Sequence, residues 1–248
     1  MAALLLYPVC SLTNQEIKLI MKNLLLTSAV ALGLTSGLLA APINISSTLG
    51  GAASGSIFVN FDDLALGNAA QTAGGLVDVS FTGNGKVVEG FLKNQYAPPF
   101  LSGDNGDGFG SPNQPNGPDE TKYLSAGTGS VTLDFGADQK YLGLLWGSVD
   151  DFNTLSFYND NVLVQAFTGS DVKANPNGDQ LAPGTYYVTF NTTGIFVFDS
   201  VIATSTTNSF EFDNVAFDAI NRDVPETAST VALLGLGLVG LAALRRKL

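Results

Sequence analysis

The chain has 248 residues, with 22 acidic side chains against 11 basic ones and a formal net charge of -11. It has no basic patch, which excludes nucleic acid as a partner. It has no histidine and a single cysteine, Cys10, so the body has neither the commonest general base nor a Cys/His zinc site.

The N-terminal region reads as a secretory signal peptide covering residues 1–41. Lys22 supplies a positive charge, residues 24–39 are apolar, and small residues follow at the expected cleavage end. We expect Met21 to be the true start, because the residues before it would make an unusual leader. The signal predicts that the rest of the chain is exported.

The central part, residues 57–220, predicts an all-β domain. Residues 42–56 are small and polar and indicate a linker or a first ragged strand. Short apolar runs, several of them alternating, predict strands at 57–61, 76–81, 86–92, 123–124, 130–135, 141–147, 154–159, 162–167, 184–191, 194–204 and 209–217. No amphipathic helix is predicted. The strand count favours an antiparallel two-sheet β-sandwich of jelly-roll type, flanked by the signal peptide and a C-terminal transmembrane helix.

One long stretch, residues 94–122, interrupts this pattern. It is poor in apolar residues and rich in proline, glycine and acids. A structureless loop of this length is generally functional or disordered.

Oxygen-bearing side chains form two candidate calcium sites. Ca²⁺ takes about six to eight oxygen ligands. Asp62 and Asp63, after the first body strand, would meet Asp213 and Asn214 in the last strand, because jelly rolls bring these strands together. The long stretch holds a second group, at Asp104, Asn105, Asp107, Asp119 and Glu120. The alternatives are a solvated acidic loop and no cofactor.

Aromatic residues raise the question of carbohydrate binding. Trp146 precedes a turn at residues 148–153, and we interpret it as a core aromatic, with stacking on a ligand as the alternative. A carbohydrate-binding module would need exposed aromatics along one face, such as Tyr96, Phe100, Phe109 or Tyr158.

No constellation of catalytic residues is present. The neighbouring pairs Asp62-Asp63 and Asp150-Asp151 would point to opposite faces of a strand, so neither pair shares a site unless it lies in a turn. A serine nucleophile would lack its usual base. We therefore expect no enzyme. A glycan hydrolase would require two inward carboxylates about 5 to 10 Å apart in a cleft.

The C-terminal residues 221–248 have three parts. Val224-Pro225-Glu226 opens them, residues 229–244 are apolar and uncharged, and Arg245-Arg246-Lys247 closes them. About sixteen helical residues reach roughly 24 Å, short of a hydrocarbon core of about 30 Å, so the transmembrane helix is marginal. The basic end predicts that the body lies outside the membrane. A plain anchor helix and a buried core helix are the alternatives.

This order of parts resembles the PEP-CTERM sorting signal of exosortase systems, although Thr227 stands where that motif has a second proline. The stretch from Trp146 to Leu155 is similar to exosortase-dependent surface proteins with a β-sandwich body. The resemblance implies that an exosortase-type membrane protease removes the tail, and that the body reaches the cell surface or extracellular matrix. The resemblance brings no defined activity; the alternative function, a carbohydrate-binding module, would have extracellular polysaccharide as its partner.

Overall fold

Apolar and polar side chains alternate along much of the chain, which folds accordingly into strands. The computed structural model describes residues 41–51, 53–110 and 114–219. Its helices, within those residues, are α1 (Gly169–Val172) and a 3-10 turn at Ala182–Gly184. The strands are β1 (Ile43–Thr48), β2 (Ile57–Val59), β3 (Gln71–Ala73), β4 (Val77–Thr82), β5 (Lys86–Glu89), β6 (Phe100–Leu101), β7 (Gly117–Pro118), β8 (Lys122–Ser125), β9 (Ser130–Gly147), β10 (Asn153–Asn159), β11 (Val162–Thr168), β12 (Tyr186–Thr192), β13 (Phe198–Ser205) and β14 (Glu211–Ala219).

Both terminal segments singled out in the sequence lie outside the described residues, apart from Ala41 at the end of the predicted signal peptide. They are the signal peptide region, the motif Val224-Pro225-Glu226, the apolar run 229–244 and the basic end Arg245-Arg246-Lys247. In the part of the chain that the structure describes, no helix is long and apolar enough to cross a membrane.

The long strand β9 belongs to two layers of strands. Its first part, around residues 130–134, pairs with β13 and β4. Its last part, residues 141–147, pairs with β12 and β14. One layer therefore runs β11-β10-β13-β9-β4-β3, and the other runs β1-β12-β9-β14-β8-β5, with β2 also on β14. All these pairings are antiparallel, so the fold is all-β and sandwich-like, and one continuous strand replaces the two predicted at 130–135 and 141–147.

A single main core lies between the two layers. It takes residues from the first layer, such as Leu133, Phe157 and Val201, and from the second, such as Trp146 and Phe212. All five side chains are fully buried. The packing of the two layers on one another follows from burial of their apolar faces.

The outer face of the second layer is also covered, by the stretch predicted as a long loop. We call residues 94–110 and 114–121 the covering segment. Its Leu101 and Phe109 pack on Leu145 and Tyr187 in an outer core, and β6 pairs with β7 within it. The expectation of a structureless loop is therefore corrected, since these few apolar residues suffice to seat the segment on the sheet.

The predicted linker 42–56 begins with a strand. Its β1 pairs with β12 over six residue pairs, from Ile43 opposite Thr192 to Thr48 opposite Tyr187. Ile43 is buried in the main core. A strand at the edge of a layer needs only one buried face, which explains why its sequence is mostly polar.

Candidate functional site

The first and last strands of the body run side by side and bring distant acids together. Val59 of β2 lies opposite Val215 of β14. Asp213 is consequently close enough to Asp119 and, more weakly, to Asp62 for their charges to repel one another. We call Asp62, Asp119, Asp213 and Asn214 the acidic cluster.

A β-bulge in β14 aims two consecutive side chains at the same place. Phe212 and Val215 both face the main core although they are three residues apart, and the register with β9 shifts between Asp213 and Ala216. Asn214 has a positive φ of 51°, the left-handed conformation that one type of bulge uses. Asp213 and Asn214 therefore both point outward, beneath the covering segment.

The covering segment supplies the partners of the cluster. The amide nitrogen of Asn214 donates to Gln114 Oε1 at 2.8 Å, and Gln114 donates in turn to Thr121 Oγ1 at 2.9 Å and Asp119 Oδ1 at 3.5 Å. The Thr121 hydroxyl also donates to Asp119 Oδ1, at 2.6 Å. These bonds orient Asp119 and Asn214 and occupy one polar atom of each.

Several oxygens of the cluster have no partner. Both carboxylate oxygens of Asp213, Asp119 Oδ2 and Asn214 Oδ1 are buried without a hydrogen bond. Burial, followed by repulsion from Asp119, raises the pKa of Asp213 well above its usual range. Burial also raises the pKa of Asp62, although hydrogen bonds from the Lys122 backbone and Thr121 oppose the rise.

The other predicted calcium ligands lie elsewhere. Asp63 is exposed and accepts from the Gly74 backbone at 2.8 Å. Asp104 is exposed in a turn, and Asp107 follows it, half-buried. As the side chains stand, no three His, Cys, Asp or Glu groups among the described residues converge on one point. The two predicted groups are thus rearranged: Asp62, Asp213 and Asn214 of the first lie near Asp119 of the second, whereas Asp63, Asp104 and Asp107 lie elsewhere.

Three aromatic side chains considered for stacking on a ligand also lie in different places. Trp146 is fully buried and stacks on Phe210, with ring centroids 4.2 Å apart. Trp146 is therefore a core residue, as interpreted from the sequence, and the alternative of stacking on a ligand is corrected. Tyr158 is half-buried on β10 and lines none of the cavities described below, whereas half-buried Tyr96 does line one.

A polar groove is the second candidate site. One cavity of about 300 Å³ adjoins another of about 570 Å³, with Asn94, Gln95 and Asn208 lining both. Polar groups of several loops line the first, and the second adds two lysines. The lining includes Tyr96, Ser148, Asp150, Phe152, Asn177, Gln180, Glu211, Lys86 and Lys93. We call this the polar groove.

Glu211 lies at the buried end of the polar groove. Ser148 donates its hydroxyl hydrogen to Glu211 Oε2 at 2.5 Å, and the backbone N–H of Ala97 donates to Oε1 at 3.1 Å. Burial raises the pKa of Glu211 to about 7, although these bonds favour the charged form. In the same cavity, burial and the neighbouring charge of Asp151 raise the pKa of Asp150 to about 6.

The sequence alone did not pair the carboxyl groups of Asp150 and Glu211. The signal for Glu211 is the alternation over residues 210–213, where Phe210 and Phe212 face the main core and Glu211 and Asp213 face the other way. Such a pattern normally places acids in solvent. Here the covering segment buries them.

Comparison with known proteins finds no matching family model, no similar curated protein and no similar solved structure. The resemblance of the tail to a sorting signal thus stays a prediction.

Proposed function

We propose that the protein is a non-enzymatic surface or extracellular-matrix protein of a bacterium, exported and then sorted by an exosortase-type system. The observation that carries this is the order of parts at the C-terminus: Val224-Pro225-Glu226, an uncharged apolar run, then Arg245-Arg246-Lys247. The run is a marginal span with a cytoplasmic basic end, which suits a temporary stop before cleavage. The sandwich-like body is what export would deliver.

The sorting proposal is tested by the mass of the protein recovered from cell surface, medium and membrane fractions. A C-terminus between Val224 and Ser229 is expected outside the membrane. The variant Pro225→Ala should keep the tail, whereas Thr227→Pro, which restores the second proline of the motif, should be processed at least as well. An intact Leu248 in the membrane fraction of a strain with an active exosortase would overturn the proposal.

A second candidate function, carbohydrate binding by the body, is favoured by the polar groove. Amides and hydroxyls that donate and accept hydrogen bonds match the hydroxyl groups of a sugar. The half-buried ring of Tyr96 lines the groove, with the Lys86 ammonium over it at 5.1 Å from its centroid. Because Lys86 and Lys93 line one end and Asp150 and Glu211 the other, an acidic polysaccharide suits the lysine end of the groove.

The binding candidate is tested with alginate as an acidic probe and cellohexaose as a neutral one. We expect alginate to bind, and Tyr96→Ala and Asn208→Ala to weaken binding about tenfold, or about 1.4 kcal/mol. Tyr158→Ala is the matched control, since this half-buried tyrosine lies outside the groove. Failure of both probes to bind, or equal loss in the control, would count against the groove.

Incubation of the protein with the same two probes also tests whether it is an enzyme. Asp150 and Glu211 share a cavity, which is the arrangement that a glycan hydrolase would need. We expect the probes to be recovered intact after long incubation. Release of reducing ends that disappears in Glu211→Gln would show instead that the protein is an enzyme.

A further inference from the structure

We propose that Asp119, Asp213 and Asn214 hold a calcium ion beneath the covering segment, with Asp62 as a further ligand. This inference concerns the stability of the body and does not depend on how the protein is sorted or what the polar groove binds.

The first step is the burial of Asp213. Its side chain is completely inaccessible, and neither carboxylate oxygen has a hydrogen-bond partner. A carboxylate without a partner in the interior is too costly to persist, so a proton or a cation must compensate it.

A proton shared between Asp213 and Asp119 would satisfy only two of the four unpaired oxygens. A protonated Asp213 could donate to Asp119 Oδ2 and so satisfy two atoms. It would leave the second Asp213 oxygen and Asn214 Oδ1 buried without a partner. A cation among the four oxygens compensates all of them.

In the part of the chain that the structure describes, no basic side chain is seen bonded to Asp213. Lys122 is bonded to the acidic cluster, but its ammonium group donates to the backbone carbonyls of Asp62 and Leu64, each at 2.8 Å. Its backbone N–H donates to Asp62 Oδ1 at 3.1 Å. Lys122 thus serves Asp62 and the turn after β2.

The free atoms have the chemistry of a hard cation site. All four are oxygens, from two carboxylates and one amide. Gln114 and Thr121 bind the other polar atoms of Asn214 and Asp119, so the free oxygens are held in place by surrounding hydrogen bonds. Ca²⁺ tolerates such irregular sets, whereas Mg²⁺ demands a near-octahedral shell and keeps its water.

A cavity adjoins the site on the side of the covering segment. A cavity of about 310 Å³ is lined by the covering segment, including Gln114, Asp119 and Thr121. Water in this cavity can complete the coordination shell around the protein ligands, together with Asp62. The ion would also fasten the covering segment to β14, because Asp119 belongs to the first and Asp213 to the second.

The experiment is a calcium titration of the full chain in mild detergent after treatment with EDTA. At Ca²⁺ about 100-fold above its dissociation constant, the melting temperature should rise by about 5–10 °C. Mg²⁺ should produce a much smaller rise. No binding heat and no rise with millimolar Ca²⁺ would overturn the proposal.

Variants locate the effect. Asp213→Asn and Asp119→Asn should lose the calcium-dependent rise, and without calcium each should melt no lower than the wild type because carboxylate repulsion is removed. Asp104→Asn is the matched control, an exposed acid of the same segment, and should keep the rise. A rise that persists in Asp213→Asn would overturn the proposal.

Terbium luminescence of the wild-type chain provides a test that needs no variant to fold. Lifetimes in H₂O and D₂O count the waters on a bound lanthanide, and we expect few, with the signal displaced by Ca²⁺. A nearly fully hydrated ion would show surface binding only and would also overturn the proposal.

Discussion

Leu144 and Leu145 test whether the covering segment is part of the folded body. They are consecutive in β9 and face opposite sides of the second layer. Leu144 packs in the main core, and Leu145 packs in the outer core against the covering segment. Both are fully buried.

Truncation of either leucine to alanine should therefore cost a similar free energy of unfolding. A buried Leu→Ala substitution costs about 2–5 kcal/mol, because the lost side chain leaves a cavity. With about 3 kcal/mol for each, and about 2–4 °C per kcal/mol in a domain of this size, both melting temperatures should fall by about 6–12 °C. Thermal and urea unfolding of the full chain in detergent measure this directly.

The comparison of the two variants shows whether the covering segment packs on the sheet. If the covering segment were loose in solution, Leu145 would behave as a surface residue, and Leu145→Ala would cost about 0.5 kcal/mol or less. A large loss for Leu144→Ala beside such a small one for Leu145→Ala would refute the outer core. It would also remove the scaffold that holds Tyr96 in the polar groove.

Three further predictions concern individual side chains. Asp150 has a pKa of about 6 in the folded protein, above the unfolded value of 3.8. Its contribution to the free energy of unfolding is therefore fully present below pH about 4, where the carboxyl group is protonated, and is lost as the pH rises to about 6. Asp150→Asn should remove this fall in stability between about pH 4 and 6, measured by urea unfolding. Trp146→Ala should cost about 3–5 kcal/mol by the same measurement yet leave alginate affinity of the folded fraction unchanged, and a selective loss of affinity would contradict its place in the core. Gly143→Ala should lower the melting temperature, because its Cβ would come within 2.5 Å of the Tyr141 hydroxyl and 2.6 Å of the Tyr187 hydroxyl; a neutral effect would show that these tyrosines can move aside.

The strands of the body could be predicted because their pattern is local. Val77 and Val79 are buried in β4 while Asp78 and Ser80 are exposed, as simple alternation requires. Strand β1 was less visible, because its apolar alternation ends after Ile43 and Ile45 and only Ser46, Ser47 and Thr48 follow. So short a repeat does not distinguish an edge strand from a linker.

The acidic cluster was anticipated in part. The sequence placed Asp62 beside Asp213 and Asn214 through the expected pairing of first and last strands. It did not supply Asp119 as their neighbour or Gln114 as a support, since both come from a segment whose path no periodicity reports. It placed Asp63 with Asp62, and Asp104 and Asp107 in a second group; in the structure Asp63 is exposed and accepts from the Gly74 backbone, and Asp104 is exposed in a turn.

The sequence by itself determined an acidic, all-β body between two distinctive termini, since composition and the period of two are written residue by residue. Only the tertiary structure decided which acids are buried. Glu211 and Asp213 alternate with phenylalanines and would face solvent on an open sheet; they are inside because the covering segment lies over them. Burial depends on which distant segments meet, and the alternation of a single strand cannot report that.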